Sequence, residues 1–250
     1  MRHGPRTNGR SWRFRENRSR KDGGLAAARR TRTARGRTSR HPLASSATMG
    51  AVARALVIDL DGVVRRWEPL TSVEAELGLP AGAILSVAFE PDRLTPAITG
   101  RTSDEEWRGG VAAELTARFG VDGGAAVTAW AAPCGVVDAT VLELVRRARA
   151  SVPVALCSNA TTRLGSDLDR LGIDDSFDAV FNSAELGVAK PEPALFAAVL
   201  DSLGVAPGDC LFVDDSARNV EAATTAGLIA HHHRDPDGLA AFLRAHLPEV

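Results

Sequence analysis

From about residue 50 onward the chain alternates two hydrophobic patterns. Short apolar runs, "ALVID" (55–59), "VPVALCSN" (152–159), "DAVFNS" (178–183), "DCLFVDD" (209–215) and "GLIAHH" (227–232), are rich in Val, Ile, Leu and Phe. Such runs suit strands covered on both faces. Between them lie "VLELVRRARA", "TRLGSDLDRLG", "PALFAAVLDSLG" and "ARNVEAATTAG", with apolar residues at helical spacing and mostly a closing glycine. The alternation predicts an α/β fold, a Rossmann-like parallel sheet wound by helices. One gap is too long for it. Roughly 85 residues, 66–150, separate the first strand from the second, where a parallel crossover needs about a dozen. The excess carries helix signals of its own: "SDEEW", where Ser103 and Glu106 form a capping box, and "VAAELTARFG", closing on Gly120. The expected organisation is a core of 49–65 and 151–250 with an inserted α-helical cap at 66–150.

Composition refines this outline. A chain of 250 residues that is 44% hydrophobic can bury a sizeable core. The net charge of -1 hides an asymmetry: residues 1–48 hold 14 of the 30 Lys and Arg but only Glu16 and Asp22 among the acids, leaving 16 basic and 29 acidic side chains, a net of -13, for 49–250. An acidic body argues against nucleic-acid binding by the folded part, which would need clustered Lys and Arg. Residues 1–48 have no apolar run beyond "LAAA", so they carry no secretory h-region and cannot span a membrane. They are expected to be a disordered basic extension: an arm for nucleic acid, a targeting peptide, or simply sequence upstream of a start at Met49. Cys134, Cys157 and Cys210 lack disulfide or zinc spacing and fit reduced thiols in a cytoplasmic protein. Oligomeric state leaves no trace in the sequence.

Candidate chemistry gathers where open α/β sheets build their sites, at the carboxyl ends of the strands. The first ends in Asp59 and Asp61, the second in Ser158 and Asn159, the fourth in Asp214 and Asp215, and Lys190 follows the third. Residues i and i+2 of an extended chain face the same side, about 6.5–7 Å apart, so Asp59 and Asp61 can address one substrate without sharing a proton. Taken singly, "DG" also reads as a turn and "DDS" as a helix N-cap. Together, four converging carboxylates would repel unless a cation sat among them. Hard oxygen ligands suit magnesium, which commonly brings a substrate phosphate with it. Lys190 is the only lysine after Lys21 in a chain that otherwise uses arginine, as though a compact ammonium were required there.

The elements "DLDGVV" (59–64), "CSNA" (157–160), Lys190 in "GVAKPEP" (187–193) and "FVDDSARNVEAATTAG" (212–227) resemble, in order, the four motifs of the haloacid dehalogenase-like (HAD) superfamily. Within it, "SNAT", "KPEPALF" and "DDSARNVEAA" are most similar to small sugar-phosphate phosphatases and to the phosphatase domain of soluble epoxide hydrolase. The resemblance implies a magnesium-dependent phosphatase acting on a small phosphorylated metabolite, a sugar phosphate being one candidate, through an aspartyl-phosphate intermediate. It implies Asp59 as nucleophile, Asp61 as general acid and then base, Ser158 and Asn159 at the phosphoryl group, and Lys190 as the balancing cation. It also implies magnesium on the Asp59 side chain, the Asp61 main-chain carbonyl and Asp215, with Asp214 direct or through water and Asn219 in support. True 2-haloacid dehalogenases of the superfamily lack an acid at the position of Asp61 and need no metal, so Asp61 points to phosphoryl chemistry. A phosphomutase, or a non-catalytic phosphate-binding or regulatory protein on the same fold, stays as an alternative.

Other residues have two readings each. Arg65, with Arg66 and Trp67, either lines the cleft and meets an anionic group of the substrate or belongs to a solvated linker. Trp107 and Trp130 read as core of the insert. "HHHR" (231–234) continues a strand, where successive side chains alternate sides and cannot all reach one ion.

Overall fold

The structure, a computed structural model, describes residues 53–247 and Glu249. The expectations for residues 1–48 lie outside the described residues. Five strands, β1 (Ala55–Ile58), β4 (Val154–Ser158), β5 (Ala179–Asn182), β6 (Cys210–Asp214) and β7 (Ile229–His232), form one parallel sheet in the order β5-β4-β1-β6-β7. All five fall within the apolar runs of the sequence. Two further strands, β2 (Arg65–Arg66) and β3 (Val136–Val137), pair antiparallel where the chain leaves the sheet and returns to it.

The period-two geometry of a strand divides its side chains between two cores. Leu56, Ile58, Leu156, Leu211 and Val213 face a layer made by α6 (Ala139–Ser151), α7 (Leu164–Leu171) and α11 (Pro236–His246). Val57, Cys157, Phe181 and Phe212 face α9 (Pro193–Leu203) and α10 (Ala217–Thr225). A short helix, α8 (Ser183–Leu186), follows β5.

Between β2 and β3 run α1 (Thr71–Glu76), α2 (Ala83–Ala88), α3 (Pro91–Ile98), α4 (Asp104–Phe119) and α5 (Gly123–Ala131). They bury a cluster of their own, which includes Ile84, Val87, Trp107, Val111, Leu115 and Ala126. The capping box forms: the Glu106 amide donates to Ser103 Oγ at 3.1 Å, the Ser103 amide donates to Glu106 Oε2 at 2.8 Å, and Gly120 closes α4 in the left-handed region. Helix α6, drawn with the insert in the sequence reading, packs its Val141, Val145 and Ala148 onto the sheet. Among the described residues no helix is long and apolar enough to cross a membrane.

Candidate active site

Strand register places the chemistry. Ile58 lies opposite Leu156 on one side and Val213 on the other, so β1, β4 and β6 end at one level. Asp59 leaves β1, Ser158 ends β4 and Asp214 ends β6, and all three are buried. Lys190, in the loop before α9, reaches over this edge with its side chain wholly buried. Its Nζ donates to Asp214 Oδ2 at 2.7 Å and to the Cys157 carbonyl at 2.9 Å, and pairs with Asp59 Oδ1 at 2.9 Å. Three contacts use the three donors of an ammonium. Asn159 holds Lys190. Its amide grips the Lys190 main chain in both directions, Nδ2 to the Lys190 carbonyl and Oδ1 from the Lys190 amide, each at 2.8 Å. Asp214 Oδ1 in turn accepts from Asn219 Nδ2 at 3.0 Å and from the Ser216 amide at 2.9 Å.

Asp59 is held through one oxygen. Oδ1 accepts from the Leu60 amide at 2.7 Å as well as meeting Lys190, leaving Oδ2 without such a contact among the described residues. Burial pushes the Asp59 carboxyl up to about 7, with Lys190 pulling it down and Asp214 adding to the rise. For Lys190 burial opposes the charge, but Asp59, Cys157 and Asp214 outweigh it and hold the ammonium above its usual range. Burial and the neighbouring Asp214 raise Asp215.

Asp59, Asp214 and Asp215 each offer a carboxylate oxygen, all within 4.8 Å of one another. One ammonium against three carboxylates leaves net negative charge, and the donor set is all oxygen; both properties fit a hard divalent cation. The loop after β1 closes tightly over this group. Gly62 has φ +77°, and a Cβ there would lie 2.0 Å from Asp215 Oδ2, so only glycine fits the turn and the approach.

Asp61 turns to other partners. Arg65 grips its carboxylate with two parallel bonds, Nε to Oδ1 at 2.8 Å and Nη2 to Oδ2 at 2.9 Å, and Trp67 Nε1 donates to Oδ1 at 2.6 Å. The Arg65 guanidinium also lies 4.5 Å from the Trp67 ring centroid. Arg65 is buried, with its remaining Nη1 donating to Asp167 Oδ2 at 3.2 Å and to the Cys134 carbonyl at 3.4 Å. It therefore reaches the cavity, but with its donors taken by protein acids and carbonyls.

Asp167 is the residue that sequence reasoning missed. It sits in α7 between Arg163, at 2.8 Å, and Arg170, at 3.8 Å, and pairs with Arg65 on its other oxygen. Each of these arginines donates to a successive carbonyl of the returning linker: Arg170 to Ala132, Arg163 to Pro133 and Arg65 to Cys134. Gly135, at φ +81°, completes the clasp, since a Cβ would meet Arg65 Cγ and Cδ at 2.8 Å. The available signal was the placement of an acid beside Leu164 and Leu168 on the buried face of α7. A second link between insert and sheet was also missed: Asp104, buried at the start of α4, accepts from Thr161 Oγ1 at 2.7 Å, and its amide donates to Thr162 Oγ1 at 3.0 Å.

The remaining candidates are structural. Trp107 and Trp130 meet edge to face, centroids 5.4 Å apart, in the insert's cluster. The histidines diverge: His231 stacks on Phe242, His232 lies 2.9 Å from the Asp215 carbonyl, and His233 is buried. Burial pushes the Cys157 thiol up to about 12.

The family model for haloacid dehalogenase-like hydrolases matches residues 53–227. A phosphatase of Mycobacterium tuberculosis is 37% identical over 90 residues, 36% of this chain and 42% of that protein. The sesquiterpene phosphatase astK of Aspergillus oryzae is 24% identical over 189 residues, 73% of this chain and 90% of its own length. A phosphoglycolate phosphatase of Pectobacterium atrosepticum is 36% identical over 85 residues, 34% of this chain and 36% of that protein. The chain thus matches less than half the length of the mycobacterial and Pectobacterium relatives. Among solved structures, a HAD family enzyme of Bacteroides thetaiotaomicron in complex with magnesium and inorganic phosphate superposes with TM-score 0.61 at 24% identity, covering 73% of this chain and 94% of that one. An L-2-haloacid dehalogenase of Xanthobacter autotrophicus superposes with TM-score 0.56 at 22% identity, covering 76% and 81%.

Proposed function

The chain belongs to the haloacid dehalogenase-like hydrolases, and from that premise we propose that it is a magnesium-dependent phosphatase of phosphate monoesters. One observation carries the reading: a buried aspartate anchored by lysine, Asp59 on Lys190, lies among two further acids while a second acid stands two residues on. A dehalogenase has no use for that second acid; cleavage of a phosphate ester does.

In the proposed reaction an Asp59 carboxylate oxygen attacks phosphorus, and the bond from phosphorus to the alcohol oxygen breaks. Asp61 gives its proton to the departing alkoxide. Water then attacks the aspartyl-phosphate, Asp61 takes back a proton, and inorganic phosphate leaves. Arg65 and Trp67 hold the Asp61 carboxyl group in place for both transfers. Lys190 fixes Asp59 and offsets charge that grows on the phosphoryl group, beside Ser158. Magnesium, held by Asp59, Asp214, Asp215 and the Asp61 main-chain carbonyl, would neutralise the phosphate oxygens.

The test is phosphate release from p-nitrophenyl phosphate and a panel of monoesters. Activity is expected with magnesium and not with EDTA, and Asp59→Asn is expected to lower turnover by about 10⁴-fold or more. Equal release by the wild type and the substituted protein would remove Asp59 from the chemistry and with it this reading.

A further inference from the structure

The names of the relatives disagree about the alcohol half of the substrate, so it must be read from the cavity. That cavity, about 910 Å³, runs from Asp59 and Asp215 into the helical insert, near the upper end for sites that enclose a drug-sized ligand. Its two ends differ. The sheet end is lined by the acids, Ser158 and Lys190, whereas the insert contributes a wall that includes Leu70, Val73, Leu85, Phe89, Ile98 and Trp130.

Four large hydrophobic side chains are exposed among the described residues: Trp67 at 46%, Leu85 at 37%, Phe89 at 53% and Val136 at 51%. All four line this cavity. Exposed apolar groups gathered at one place mark a ligand surface. Polar groups on the wall are few and mostly committed. Asp104 is bound to Thr161 and Thr162 and paired with Arg108, and Glu68 is an acid that would repel a second anionic group. Two atoms of the wall are buried without a hydrogen-bond partner, Arg108 Nε and Asp104 Oδ2. So few free groups do not satisfy the several hydroxyls of a sugar, and a hydroxyl buried unpaired is unfavourable.

We propose that the leaving group is an extended hydrocarbon alcohol, so that the substrate is a lipid-like phosphate monoester on the order of ten carbons long. The proposal builds on the phosphatase reading and departs from the sugar-phosphate expectation. Trp67 stands at the junction. Its ring belongs to the apolar wall while its indole nitrogen bonds Asp61, which places the hydrocarbon next to the acid that protonates its oxygen.

Binding and turnover test the two readings separately. Non-hydrolysable n-alkylphosphonates from ethyl to decyl, kept below their micelle concentrations, would be titrated into the full-length protein with magnesium and followed by tryptophan fluorescence, since Trp67, Trp107 and Trp130 line the cavity. Affinity is expected to rise roughly two- to fourfold per added methylene. Phe89→Gln, at an exposed position, is expected to weaken decylphosphonate binding about tenfold more than ethylphosphonate binding. Affinity independent of chain length, equal weakening of both ligands by Phe89→Gln, or tighter binding of glucose 6-phosphate than of decylphosphonate would each overturn the proposal. Phosphate release from decyl phosphate is the separate measurement: chain-length-dependent binding without release would overturn the phosphatase reading and support only the hydrocarbon-binding wall, whereas release that does not depend on chain length would overturn this proposal alone.

Discussion

The sheet edge and the inner wall of the insert line one cavity and are built on opposite principles. At the edge the polar side chains hold one another: Lys190 spends its three donors, Asp214 accepts from three groups, and Asn159 and Asn219 hold the residues that hold the acids. On the wall, large apolar side chains stand exposed with little polar company. A charge cluster works only when its geometry is fixed in advance, because stabilisation of charge depends on dipoles that need not reorganise. An apolar surface acts through area and tolerates variation in shape. One region therefore defines a reaction, and the other selects what undergoes it.

The largest expected effect comes from breaking the edge. Lys190→Met would leave Asp59 and Asp214 buried without their cation, at a cost of about 3–5 kcal/mol in the metal-free protein. Chemical denaturation in EDTA measures it, and added magnesium is expected to restore part of the loss. A substitution in the insert should stay local: Leu115→Ala, fully buried in the cluster of α2, α4 and α5, is expected to cost about 2–5 kcal/mol. Hydrogen exchange should then show faster amides in those helices while β1, β4 and β6 stay protected. Exchange that rises equally in the strands would mean the two regions unfold as one.

A smaller effect is expected at their junction. Asp167→Asn removes the charge that Arg65, Arg163 and Arg170 share and should cost about 1–3 kcal/mol. The linker they grip would loosen, so Cys134, partly exposed, is expected to react faster with a thiol reagent while buried Cys157 and Cys210 do not respond. A pH slope is expected as well. Asp59 titrates near 7 in the folded chain but near about 3.9 when unfolded. Between those values the folded state keeps a proton that the unfolded state gives up, so this group makes the metal-free protein less stable as pH rises through that window. Subtracting the Asp59→Asn profile from that of the wild type isolates it; a difference that rises with pH would contradict the assignment.

The parts legible in the sequence are those with local signatures. The strands of the parallel sheet read from continuous apolar runs, and its inner strands β1, β4 and β6 are buried throughout; the acids read from their positions at the ends of those runs. The capping box of α4 sits within four consecutive residues. The rest depends on distance. Arg65 and Asp167 are 102 positions apart, and the three carbonyls gripped by Arg65, Arg163 and Arg170 carry no side-chain signal. Helix α6 has an apolar stripe, but a stripe does not say which of two cores it will cover. The wall escaped for a related reason: helices of the insert have one apolar face for their own cluster and another for the cavity, and periodicity cannot tell an inward face from a lined one.

The arginine clasp grips backbone, and this sets what can change around it. Ala132, Pro133 and Cys134 are held by their carbonyls, so their side chains are nearly free to vary, while the number of residues between α5 and Gly135 is not. An insert with a different lining, joined at Arg66 and at Ala132, would inherit the same grip. The molecule is in that sense divided into a socket and an exchangeable fitting, with three carbonyl oxygens as the thread.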